Sequence, residues 1–126
     1  MIAMKRLLMA SILVLGCLAC DKYATADIAG TWEAIELTEV GDSLEVDLAS
    51  IAFRFSEEGQ YHFSSTLEYE EAGTFRLDGP YLFSTDTLKL PLREKAVEII
   101  QLNSDTLALR MKEMGKERRL VLRRKG

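Results

Sequence analysis

Bulky apolar and polar side chains alternate along most of this chain, in short runs separated by turn signals, and that pattern restricts the fold more than any other feature. A period of two puts one row of side chains on each face of a strand. Ile51, Phe53 and Phe55 alternate with Ala52, Arg54 and Ser56, and Glu57-Glu58-Gly59-Gln60 then turns the chain. Tyr61, Phe63, Ser65, Leu67 and Tyr69 face one way against His62, Ser64, Thr66, Glu68 and Glu70, which predicts a strand of nine to ten residues. A strand over 73–77, the turn Asp78-Gly79-Pro80 and a returning strand over 81–85 follow. Leu88, Leu90 and Leu92 alternate in 86–92, but Pro91 cannot donate to a ladder, so this segment is an edge, a bulge or a strand end. In 94–102 the pair Ile99-Ile100 breaks the alternation and predicts a bulge. Asn103-Ser104-Asp105 turns into a strand over 106–112, and Gly115 marks the last hairpin before a strand over 118–125. For 42–50 a helical turn and a strand both stay open, because Leu44, Leu48 and Ile51 also fit helical spacing.

These runs amount to about eight strands joined by short hairpins, with no long helix. A small up-and-down barrel and a β-sandwich both accept the pattern. Sequential hairpins favour the barrel. Charge gives a second reason for closure. Residues 21–71 carry 13 acidic side chains and two basic ones, whereas 72–126 carry seven acidic and 12 basic. In a closed barrel the first strand, with Glu33 and Glu36, lies beside the last, with Arg118, Arg119, Arg123 and Arg124, and opposite charges help to set the register. A basic last strand that only solvates its outer face is the equal alternative. The overall net charge of -4 argues against nucleic acid as a partner, which normally requires a basic face.

The N-terminus reads differently. Lys5 and Arg6 precede ten uncharged residues, 7–16, and the chain then reaches Cys17. This is the layout of a secretory signal, shorter than the ~20 residues of a membrane span. Leu13-Val14-Leu15-Gly16-Cys17 resembles the lipobox of bacterial lipoproteins. That resemblance implies cleavage before Cys17, diacylglycerol on its sulfur and an acyl chain on the new amino terminus. Cys20, preceded by Ala19, is the alternative, with a signal of 1–19 instead of 1–16. The expected organisation is therefore a signal peptide, a lipidated tether over 17–27 and one β-barrel domain over 28–126. The expected location is the bacterial envelope, with the outer membrane favoured, facing the periplasm or the cell surface. With both cysteines used here, the domain has no disulfide and must be held by packing.

Gly30-Thr31-Trp32 opens the first strand and holds the only tryptophan. Together with the hairpin-rich chain and the basic last strand, it resembles the lipocalins and the wider calycin group, and most closely the short lipocalin-like domains of bacterial lipoproteins. The resemblance implies that Gly30 and Trp32 form a plug at the closed end of the barrel. It further implies a cation–π partner for Trp32 among Arg118, Arg119 and Arg123. The chain departs from the family in its shortness and in lacking a C-terminal helix. The inward set, Phe53, Phe55, Tyr61, Phe63, Leu67, Phe75 and Leu77, is either solid core or, toward the mouth, the lining of a site for a small apolar molecule.

Catalytic chemistry has little to stand on. His62 is the only histidine and falls in the solvent phase of its strand, so no triad or metal set forms around it. Glu57/Glu58 and Glu70/Glu71 read as solubilising charges at a turn and a strand end, although Glu68 and Glu70 share a face that could hold a cation weakly. No catalytic residue, metal or cofactor is expected. Two functions remain: a lipid-anchored barrel binding a small apolar molecule, and a filled barrel that docks an envelope protein.

Overall fold

The hairpin signals translate directly into topology. The computed structural model describes residues 22–126. A helical turn, α1 (Thr25–Ile28), leads into β1 (Gly30–Glu39), β2 (Asp42–Ser43), a 3-10 turn (Leu48–Ser50), β3 (Ala52–Phe55), β4 (Gln60–Ser64) and β5 (Glu70–Asp78). There follow β6 (Tyr81–Asp86), β7 (Glu94–Leu102), β8 (Thr106–Glu113) and β9 (Lys116–Arg124). From β3 onward each strand pairs antiparallel with the next, β1 pairs with β3, and β9 returns to β1. Eight strands thus close an antiparallel barrel, and the two-residue β2 is an extra strand on the end of β1. The expected signal peptide, Cys17, Cys20 and the start of the expected tether lie outside the described residues.

Closure follows from register. Trp32 lies opposite Arg124, Glu33 opposite Arg123 and Glu39 opposite Arg118. The seam ion pair is Glu39–Arg118, with Nε donating to Oε2 at 2.7 Å, and Lys116 stands 3.5 Å from the same carboxylate. Glu33 meets Lys125 at 3.5 Å, whereas Glu36 lies opposite Val121. The reason is a bulge at Ala34/Glu36, which turns Ile35 outward and shifts the inward phase to Leu37 and Glu39. The bulge expected near Ile99-Ile100 is present, with the pairing shifting between Ile99 and Gln101.

One segment differs from expectation, and at two others the structure settles the open alternatives. The alternation over 61–70 is two strands: β4 stops at Ser64, and Tyr69 and its neighbours belong to a turn in which the Ser65 N–H donates to the Tyr69 carbonyl at 3.0 Å. Leu67 and Glu68 sit in that turn at φ 59°, so the period of two there is coincidental. Segment 42–50 contains both options in miniature, a short strand and a 3-10 turn in which the Asp47 carboxylate accepts from the Ala49 N–H. Segment 87–93 is an irregular loop between β6 and β7, consistent with Pro91 having no N–H to offer. At the N-terminal side, α1 and Tyr23 pack onto the barrel, so residues assigned to the tether from sequence belong to the packed domain.

The inward faces of the strands make one core. Ile28, Trp32, Leu107, Leu109 and Leu122 are fully buried, with Leu82, Ile99 and Leu120 beside them. Phe53 stacks on Phe55 at 5.2 Å and meets Phe63 at 4.5 Å, and Phe55 meets the edge of Phe75 at 5.0 Å. Such pairs each contribute ~0.5–1.5 kcal/mol beyond their area. Gly73 permits two strands to close up beside them, because a Cβ there would stand 1.9 Å from the Thr85 carbonyl oxygen.

Candidate functional site

The two ends of the barrel are chemically different. At one end, α1 and the first residues of β1 form a plug. Trp32 Nε1 donates to the Ile28 carbonyl at 2.8 Å, and the ring is completely buried. Arg124 lies over that ring, its guanidinium carbon 4.2 Å from the centroid. Its nitrogens donate to the carbonyls of Ala29 at 2.5 Å, Asp27 at 2.9 Å and Ser104 at 2.7 Å, tying α1, β1 and the β7–β8 turn together. Gly30 makes this approach feasible: a Cβ at its position would stand 2.6 Å from Arg124 Nη1, and its φ of 129° suits glycine.

The partner of Trp32 is therefore Arg124, not Arg118, Arg119 or Arg123. Parity across the seam decides this, because Arg124 pairs with Trp32 and shares its inward face. Arg119 and Arg123 alternate outward and are exposed, and Arg118 faces inward at the far end of β9.

At the other end the interior is open. A cavity of ≈ 560 Å³ descends from the mouth, lined by residues from all eight barrel strands. Leu82, Val97, Leu109 and Leu120 form its lower part with Phe53, while Leu37, Ile51, Phe63 and Met111 line the upper wall. Lys95, Arg118, Lys112, Glu71, Tyr69 and Ser65 bring polar groups to it. Of the seven lining candidates, Phe53 and Phe63 face this space. Phe55, Tyr61, Phe75 and Leu77 lie beneath it, in or against the solid core. Leu67 is outside altogether, 98% exposed at the tip of the β4–β5 turn.

Glu71 is the residue that sequence reading misplaced. It does not solubilise an edge; it is only 7% exposed and turns into the barrel. Tyr61 Oη donates to its Oε1 at 3.0 Å, while Tyr69 Oη at 2.5 Å and Lys95 Nζ at 2.9 Å donate to Oε2. Burial pushes this carboxyl up, but hydrogen bonds from Tyr69, Lys95 and Tyr61 outweigh it and hold the group below the ordinary carboxylate range. Burial, followed by the bond to Glu71, raises the Tyr61 phenol, so its proton stays in place. Across the mouth, the hydrogen bond from Arg118 lowers the Glu39 carboxyl. Two inward-facing ion pairs, Glu71–Lys95 and Glu39–Arg118, thus edge an otherwise apolar space. A ligand with an apolar body and one polar end matches that distribution.

His62 lies on the outer face between Arg54 and Ala72 and bonds to Glu70. Glu70 is thus engaged by His62, and Glu68 stands apart in the turn. Among the described residues no three His, Cys, Asp or Glu side chains are placed to hold a metal ion. No described helix is long and apolar enough to cross a membrane.

No protein-family model matches the chain. No curated protein sequence matches it either. Among solved structures, it is similar to a lipocalin-like protein from Bacteroides uniformis ATCC 8492, with a TM-score of 0.60 and 17% sequence identity. That match covers 79% of this chain and 99% of the other. The likeness is one of fold: a lipocalin-like barrel.

Proposed function

We propose that this chain is a lipid-anchored envelope protein whose barrel holds a small, largely apolar molecule with a polar end. The cavity opposite the Trp32 plug is the observation that carries this reading. Its ≈ 560 Å³ lies inside the range of roughly 300–1,000 Å³ typical of small-molecule sites. Apolar walls would supply most of the affinity, and the ion pairs at the mouth would fix orientation. Lipocalin-like barrels in general accommodate ligands in this way. We assign the chain no reaction. The rival reading, a filled barrel that only docks a protein partner, requires an interior without such a space.

Anchoring rests on the sequence resembling a lipobox. An acylated Cys17, or Cys20, would hold the barrel at the bilayer through several acyl chains at ~0.8 kcal/mol per buried CH₂. The outer membrane is the favoured location. Mass spectrometry of the N-terminal peptide from host-made protein tests the anchor, and an unmodified terminus at both cysteines would overturn it. Native mass spectrometry of the same preparation tests the cavity. A co-purifying mass that is lost when Val97, on the cavity wall, is enlarged to Phe is the expected result. No bound mass, together with no uptake of an apolar fluorescent dye, would refute ligand binding.

A further inference from the structure

The mouth carries a second feature, distinct from the cavity. Most of the exposed large apolar side chains among the described residues sit on the four connections at that end. Val40, Leu67, Leu88, Leu90, Leu92 and Met114 are the ones that project, Leu90 at 87% and Met114 at 99% exposure. At the plugged end the turns are Glu57-Glu58-Gly59, Asp78-Gly79-Pro80 and Asn103-Ser104-Asp105, all without an aliphatic side chain.

Backbone geometry makes the contrast sharper. Val40-Gly41 and Met114-Gly115 are two-residue hairpin turns with positive φ at both positions, 49° and 87° in one, 51° and 80° in the other. Asn or Asp fits the first position of such a turn, and a β-branched or bulky apolar residue is out of place there. Leu67, at φ 59°, is the same case. At three separate turns, then, an aliphatic side chain occupies a strained position and is given to solvent. Folding alone favours none of the three.

Charge identifies what could cover this rim. The 40–51 and 65–69 connections carry Asp42, Glu45, Asp47 and Glu68 and no Lys or Arg. The neighbouring 87–93 and 114–115 connections carry Lys89 and Arg93 and no Asp or Glu. The acidic half and the basic half lie side by side around the mouth. A two-fold axis along the boundary between them superposes each half on its opposite in a second molecule. It sets the 65–69 turn over the partner's 87–93 loop, so that leucine meets leucine and Glu68 meets a region holding Arg93. Isologous contacts need self-complementarity of this kind. An anionic bilayer would instead face the four carboxylates.

We infer that the mouth is a self-docking face, on which two copies meet mouth to mouth and close their cavities against each other. Sedimentation velocity of the full chain in density-matched detergent tests this. The expected result is a concentration-dependent dimer. Leu67→Asp combined with Leu90→Asp should weaken it at least about tenfold, with an unchanged circular dichroism spectrum because both side chains are exposed. Arg93→Glu alone and Glu68→Lys alone should each weaken it, and the two together should restore it, a rescue that no folding defect produces. A monomer at every concentration would overturn the inference, whether or not it floats with phosphatidylcholine vesicles. A dimer indifferent to all four substitutions would overturn it too.

Discussion

Arg124 shows how much one side chain can organise. It stacks on Trp32 and satisfies three carbonyls from three segments, so its removal leaves acceptors without partners at a half-buried site. Arg124→Ala should cost about 2–3 kcal/mol in denaturant unfolding, and Arg119→Ala, on the outer face, within about 0.5 kcal/mol of nothing. Equal losses for both would mean that the plug does not depend on this stacking. Trp32→Ala should cost more, about 3–5 kcal/mol. Glu71 makes a pH prediction. Its folded carboxyl titrates below the ordinary value, so the stabilisation it supplies is complete above that value and is lost as pH falls through the lowered one. Glu71→Gln should therefore flatten part of the acid limb of the stability curve while lowering stability near neutrality, read as Tm against pH. Both residues were within reach of the sequence. The last strand's alternation puts Arg124 on the face of Leu120 and Leu122, and β5 parity puts Glu71 with Phe75 and Leu77, which had already been read as inward. What concealed Glu71 was its neighbour Glu70, because paired acids suggest solvent. Burial was not legible, since it depends on Tyr61, Tyr69 and Lys95 arriving from other positions.

Among elements, most strands and turns were legible and the β4–β5 turn at the mouth was not. Strand β6, the bulge in β7 and the hairpin at Gly115 follow from local chemistry. The β4–β5 turn contains no Gly, Pro or Asn, so nothing in Ser65-Thr66-Leu67-Glu68 interrupts a pattern of alternating polarity. Its left-handed reversal, with φ 59° at Leu67 and Glu68, is imposed by the pairing of β4 with β5, a non-local fact. This places a mutational signature on the turns. Met114→Asn substitutes a residue suited to positive φ for one that is not, and it touches no core. It should stabilise the isolated barrel by about 0.5–1 kcal/mol, measured as a rise in denaturation midpoint. A loss of stability would show that Met114 is already making contacts in solution.

For the whole molecule, the barrel reading rested on sequential hairpins and split charge, and both have structural counterparts in the closed sheet and the Glu39–Arg118 seam. The cavity was not readable, because a shift of a few ångströms in strand tilt separates a filled interior from an open one of this size. Enlarging its wall tests its use: Val97→Phe should reduce apolar-dye affinity at least about tenfold and leave Tm within about 4 °C. Closure through β1 and β9 also has a consequence for biosynthesis. The seam joins the first strand to leave the ribosome with the last, Glu39 finding Arg118 across 79 positions of chain. Until β9 is available, β1 and β8 each present an open edge of unpaired amides, the situation in which strands recruit the wrong partner. A chain that lacks β9 is therefore an aggregation-prone open sheet, not a slightly shorter barrel.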